Sequence, residues 1–187
     1  MKKEQLAAFN DAVIAIVITL MVLEIKLPEM ALDNLWALAQ HIAVYGLSFL
    51  IVAIVWLNLR IILMPLEVVT NKIIWLDLLL LFTISLIPLP TQALGEQFER
   101  TLSHVFFGIV MMAMSIAYGM LHHQITRQAA ILNEKCKTIS LGKNWLAMFL
   151  YAISIPLAYV NLNLSTAIFL LIPALYFLPS HDPAKEI

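Results

Sequence analysis

"AAFNDAVIAIVITLMVLEIKLP", Ala7 to Pro28, decides the fold class. Its core from Ala12 to Leu23 is apolar except for Thr19, and its flanks extend a helix to residues 6–27. That is about 22 positions, or roughly 33 Å at 1.5 Å per residue, enough to cross a bilayer. Two polar groups interrupt it: Asp11 on one shoulder and Thr19 inside the longest apolar run.

The rest of the chain repeats this pattern. Of 187 residues, 62% are hydrophobic and 12% charged. A soluble domain carries about twice that share of charge. The charges cluster between long apolar stretches, so the chain reads as a polytopic, all-α membrane protein. A net charge of -1 gives no sign of a nucleic-acid partner. Lys2 and Lys3 precede the first apolar run, but no small-x-small cleavage site follows, so it reads as a span and not a signal peptide. The single Cys136 has no intrachain partner for a disulfide and falls in a basic loop expected to be cytoplasmic.

Six transmembrane spans are expected, at residues 6–27, 35–63, 73–87, 102–125, 144–160 and 164–178. Pro28, Pro65 and Pro179 stop three of them, and "PLPT", Pro88 to Thr91, breaks the third. Pro156 and Pro173 lie inside the fifth and sixth, which "NLN", Asn161 to Asn163, joins as a hairpin. With the N-terminus inside, nine of the eleven Lys and Arg residues fall on the inner side; only Lys26 and Arg100 fall outside. The positive-inside rule therefore predicts N-in, C-in. No internal repeat or soluble domain is seen, so residues 1–187 read as one membrane domain. No phosphate loop, nucleophile elbow or metalloprotease motif is present, and nothing points to an enzyme or a cofactor.

At 100° per residue, Ile16, Thr19, Leu20 and Leu23 of the first span share one stripe. Asp11 falls about 140° from Ile16. The two polar groups thus face different surroundings. An unpaired carboxylate at this depth is costly. Partners at similar depth are Trp56, Asn58 and Arg60 in "WLNLR", and Asp77 in "WLD". Asn10 and Asp11 are expected to bond with Trp56, Asn58 and Arg60. Two readings stand: a tie that fixes the first span, or a proton-relay carboxylate. Thr19 also has two: a back-bond to the Ala15 carbonyl four residues earlier, or a role on the stripe. Adjacent His122 and His123 project about 100° apart and read as interfacial, not as a metal site. Glu24 reads as interfacial near the outer mouth.

"FNDAVIAIVITLMVLEI", Phe9 to Ile25, resembles the signature of the transmembrane protein 175 family of potassium channels. "SFLIVAIVWLN", Ser48 to Asn58, is similar to the family's second helix. "IWLDLLLLFTISLIPLPTQALGE", Ile74 to Glu96, is similar to its third helix and the bend after it, and "PALYFLP", Pro173 to Pro179, to its last span. The chain departs from the family at the motif serine, here Asn10; at a histidine pair, here Leu59 and Arg60; at an arginine before the motif, with Gln5 nearby; and at a helix-3 asparagine, here Asp77.

The resemblance implies a prokaryotic plasma-membrane channel, a homotetramer of six-span subunits with the first helix lining a central pore. It implies Ile16, Thr19 and Leu23 as pore-lining, with Leu20 beside them, and Phe9, Asn10, Asp11, Trp56, Asn58, Arg60 and Asp77 as the structural motif. Potassium and other monovalent cations are the expected permeants, with moderate selectivity over sodium and a hydrophobic constriction on helix 1. Rival expectations are a proton leak, a proton-coupled secondary transporter and a non-conducting scaffold.

Overall fold

The computed structural model describes residues 2–23, 35–64, 66, 68–131 and 141–177. Among them the chain forms seven helices: α1 (Lys3–Leu23), α2 (Leu35–Leu63), α3 (Asn71–Ser85), α4 (Pro88–Glu96), α5 (Thr101–Ile131), α6 (Leu141–Val160) and α7 (Leu162–Phe177). Glu24, Lys26, Pro28, Pro65, Lys135, Cys136, Lys137, Leu178, Pro179 and Lys185 lie outside the described residues. Among the described residues, four stretches are long and apolar enough to cross a membrane: Lys3–Leu23, Leu38–Leu63, Asn71–Glu96 and Thr101–Ala130. Lipid offers no partner for backbone N–H and C=O groups, so such sequences must close their hydrogen bonds within the helix.

The third apolar stretch is divided differently from the sequence expectation. "PLPT" does not end the helical run; the break falls at Leu86 and Ile87, and Pro88 opens α4. Pro88 has no N–H for the Ile84 carbonyl. Ile87 N–H takes that carbonyl instead, at 3.0 Å, in a tightened turn. Proline is then tolerated at the start of α4, where N–H groups have no helical partner. The Thr91 hydroxyl lies 2.8 Å from both the Ile87 carbonyl and the Ser48 hydroxyl, tying α4 to α2.

At 31 residues, α5 also runs beyond the expected end at Ile125. Its length is about 46 Å, more than the hydrocarbon core of a bilayer requires. It is the central post, in contact with α3, α4, α6 and α7. Small residues let α6 approach it. A Cβ on Gly108 would stand 3.0 Å from Ile155 Cγ1 and 3.1 Å from Ser154 Oγ; one on Gly119 would stand 3.0 Å from Asn144 Nδ2. Close approach at small residues is the usual packing device between membrane helices. Interhelical hydrogen bonds follow: Asn144 Nδ2 donates to the Ser115 carbonyl at 3.1 Å, and Ser165 Oγ to the Ser154 carbonyl at 3.1 Å. His104, fully buried, lies 3.0 Å from the Thr166 hydroxyl.

The α6–α7 connection is tighter than "NLN". Only Asn161 separates the two helices. Its side-chain oxygen accepts from the Asn163 N–H at 2.9 Å, an N-cap that starts α7 at once. At the far side of the fold, α1 lies against α2, α3 and α4. Its buried residues Leu6, Asn10, Ile14, Val17 and Met21 recur at helical spacing and form that seam.

Candidate functional site: the polar clamps and open face of helix α1

Asn10 and Asp11 are neighbours in sequence, so their side chains leave α1 about 100° apart. Each is held by a different helix. Asp11 is held by α2: Trp56 Nε1 donates to Oδ1 at 2.8 Å, and Arg60 donates to Oδ2 at 2.6 Å. Trp56 and Arg60 are one helical turn apart and share a face. The Arg60 guanidinium carbon sits 5.6 Å from the centroid of the Trp56 ring, in cation–π range, so the three side chains form one unit. Both carboxylate oxygens are engaged, although Arg60 remains 49% and Asp11 35% exposed.

Asn10 is held by α3. Its Nδ2 donates to Asp77 Oδ1 at 2.9 Å, with both residues buried. The Asn10 Oδ1 and Asp77 Oδ2 atoms have no donor among the described residues. Arg60 therefore pairs with Asp11, while Asp77 belongs to a separate pair. A third tie lies at the helix end, where Lys3 Nζ donates to the Met64 carbonyl at 3.0 Å. Cationic side chains commonly satisfy the last carbonyls of a helix in this way.

Two sequence expectations are corrected here. Asn58 does not join the Asp11 cluster. It lies two residues from Trp56, on another side of α2, and lines a cavity with residues of α5, α6 and α7. Thr19 does not bond to Ala15; its hydroxyl donates to the Ile16 carbonyl, three residues back, at 2.7 Å. The difference matters chemically. A threonine whose proton is committed to the backbone keeps its oxygen lone pairs free to accept, and Thr19 is exposed.

The face carrying Thr19 is open. Ile16 is 59% exposed, Leu20 46% and Leu23 77%, while Ile14, Val17 and Met21 on the opposite side are buried. The centre of the exposed stripe lies about 130° from that buried seam at 100° per residue. Phe9 is also exposed, at 47%, and makes no hydrogen bond to the clamps. The structure thus brings together Asp11 with Trp56 and Arg60, and Asn10 with Asp77. It sets Ile16, Thr19, Leu20 and Leu23 on one uncovered surface, with the exposed Phe9 two turns before Ile16 on the same face, and leaves Asn58 elsewhere. Of the histidine pair, His122 is buried beside Tyr118 and Thr126, and His123 is exposed.

The family described as endosomal/lysosomal potassium channel TMEM175 matches residues 5–88, the segment that holds both clamps. A protein described as a potassium channel from Chryseobacterium sp. (strain P1-3) is 31% identical over 193 residues, covering 100% of this chain and 98% of that one. Another so described, from Streptomyces collinus, is 31% identical over 86% of this chain and 84% of its own length. In fold, the chain is similar to the crystal structure of a lysosomal potassium-selective channel TMEM175 homolog from Chamaesiphon minutus. The TM-score is 0.78 at 22% identity, over 96% of this chain and 98% of that one. With its apolar helices and a full-length relative at this identity, this multi-pass membrane protein belongs to the TMEM175 family, a family of channels and not of enzymes.

Proposed function

We propose that the chain is the subunit of a homotetrameric, potassium-selective cation channel, a single domain of six spans with both termini inside, whose four α1 helices line the pore. The observation that carries this reading is the uncovered stripe of α1. Ile16, Leu20 and Leu23 are exposed on a helix whose other side is fixed by two polar clamps. An apolar face with one outward hydroxyl oxygen, held at a set angle, suits a pore lining. Further support comes from relatives described as potassium channels.

The sequence has no stretch from which a ladder of backbone carbonyls would be built, so selection falls to side chains. Four Ile16 side chains form an apolar ring that resists wetting and gates ion entry. One turn away, four Thr19 oxygens face the ion, each with its proton already donated to the Ile16 carbonyl. They replace part of the hydration shell. Leu23 forms a second apolar ring, and Leu20 flanks the gap between them. Sodium holds its water more tightly than potassium, so a ring offering few oxygens favours potassium. Because those oxygens are few, selectivity is moderate, and other weakly hydrated monovalent cations also pass. The channel needs no cofactor.

The test is ion flux and reversal potential of the purified protein in liposomes. Wild type is expected to give graded, potassium-preferring currents, and Thr19→Ala to lower the potassium-to-sodium permeability ratio severalfold. An unchanged ratio removes Thr19 from the filter. Saturating, proton-coupled uptake or absence of flux replaces the channel reading with a transporter or a scaffold.

A further inference from the structure

A second polar feature lies away from the α1 face. Tyr118 on α5 and Tyr151 on α6 are buried, 5% and 1% exposed, and their hydroxyls have no hydrogen-bond partner among the described residues. Both line a cavity of about 30 Å³ between α2, α5, α6 and α7. Asn58, Ser115, Asn144 and Tyr176 complete its polar lining, and the remaining wall is aliphatic, with Pro173 at one side. A buried hydroxyl left unpaired costs about 1–3 kcal/mol, and both tyrosines that carry one line the same cavity. No Asp, Glu, Lys, Arg or His lines it, so an ion has no counter-charge there. The volume suits about two water-sized groups.

We propose that this cavity is a binding site for one or two small neutral oxygen groups that accept hydrogen bonds from Tyr118 and Tyr151. The guest is water or the hydroxyl head of a bilayer amphiphile. It adds to the apolar contacts here and to the hydrogen bond from the Asn144 amide to the Ser115 carbonyl. It also gives Asn58 a role apart from the Asp11 clamp. The site is independent of how α1 faces the pore.

Tyr118→Phe and Tyr151→Phe keep ring volume and remove only the hydroxyl. With a guest in place, each variant strands a hydrogen bond of that guest, and the thermal unfolding midpoint in lipid nanodiscs falls by about 2–4 °C. If the hydroxyls are bare, removing them relieves an orphaned polar group and the midpoint stays or rises; that result overturns the proposal. Native mass spectrometry distinguishes the two sources. An amphiphile retained by wild type and lost from the double Phe variant identifies a lipid or detergent hydroxyl, and identical spectra identify water. A wild-type density map fine enough to show ordered water provides a test free of mutation. Density within hydrogen-bond reach of both hydroxyls is expected, and two hydroxyls facing none would also overturn the site.

Discussion

Replacing Asp11 tests whether the α2 clamp holds α1 through two distinct bonds. Asp11→Ala removes the acceptor of the Trp56 N–H, at 2.8 Å, and of the Arg60 guanidinium, at 2.6 Å. A hydrogen bond to a charged acceptor contributes about 1.5–3 kcal/mol, and the part-buried Trp56 bond belongs at the lower end. The Arg60 pair is 49% and 35% exposed on its two sides, so it contributes only about 0.5–1 kcal/mol. The expected loss is about 2–2.5 kcal/mol, roughly a 30- to 60-fold change in the folding equilibrium. Asp11→Asn retains an oxygen for Trp56 and loses the charge, so it costs about 1 kcal/mol. The assay is equilibrium unfolding in mixed micelles titrated with a denaturing detergent, with tetramer content followed by size. A cycle with Trp56→Phe should show coupling of about 1 kcal/mol with Asp11. Equal losses for Ala and Asn, or additive effects of Asp11 and Trp56, would refute the assignment of most of the stabilisation to the Trp56 bond.

Ile16→Asn is expected to wet the proposed constriction and raise basal liposome current severalfold at unchanged protein density; an unchanged current refutes the proposed gate. Asp77→Asn preserves an oxygen for the Asn10 amide and is expected to alter stability by less than about 1 kcal/mol, whereas Asp77→Leu strands that amide and costs about 1–3 kcal/mol. Gly119→Ala places a Cβ 3.0 Å from Asn144 Nδ2 and should destabilise by about 1–3 kcal/mol. Gly46→Ala, with nothing within 4 Å of the new carbon, is expected to stabilise by up to about 1 kcal/mol through helix propensity. Both glycine variants are read by unfolding of the purified protein.

The helical character of the chain and the partition of α1 into faces were legible because both follow from local periodicity. Ile16, Thr19, Leu20 and Leu23 share a stripe by spacing alone, and the structure leaves that stripe uncovered. The pairings were less legible, because a depth estimate orders residues along the membrane normal and says nothing of rotation. Trp56, Asn58 and Arg60 lie at one depth, but Asn58 points to another side of α2. The same spacing rule, applied to α2, would have separated it from Trp56 and Arg60. The turn at Leu86 and Ile87 was misplaced because a proline disturbs the carbonyls that precede it, not the residues that follow. The Tyr118 and Tyr151 pair gave no signal at all. Tyrosines on separate apolar helices look like packing residues until the cavity between them is seen.

If Thr19 selects the ion as proposed, two clamps on adjacent residues have a consequence for selectivity. One contact on a helix fixes a point and leaves rotation about it soft. Contacts about 100° apart, to α2 through Asp11 and to α3 through Asn10, fix the rotation as well. Side-chain atoms lie about 5 Å from the helix axis, so a 20° turn moves the Thr19 oxygen by roughly 2 Å. A binding group must be held within about 0.5 Å to act, so on the proposed function a loose α1 would lose its filter. Either clamp alone restrains much of that turn. Asp11→Ala is therefore expected to lower stability and tetramer yield while the potassium-to-sodium ratio stays close to wild type, and Asn10→Ala to do the same. The combined variant should lose most of the selectivity, far more than the product of the single effects, in protein that still assembles. Independent effects in liposome reversal potentials would mean that α1 is aligned by its apolar seam of Ile14, Val17 and Met21, with the polar pairs supplying stability only.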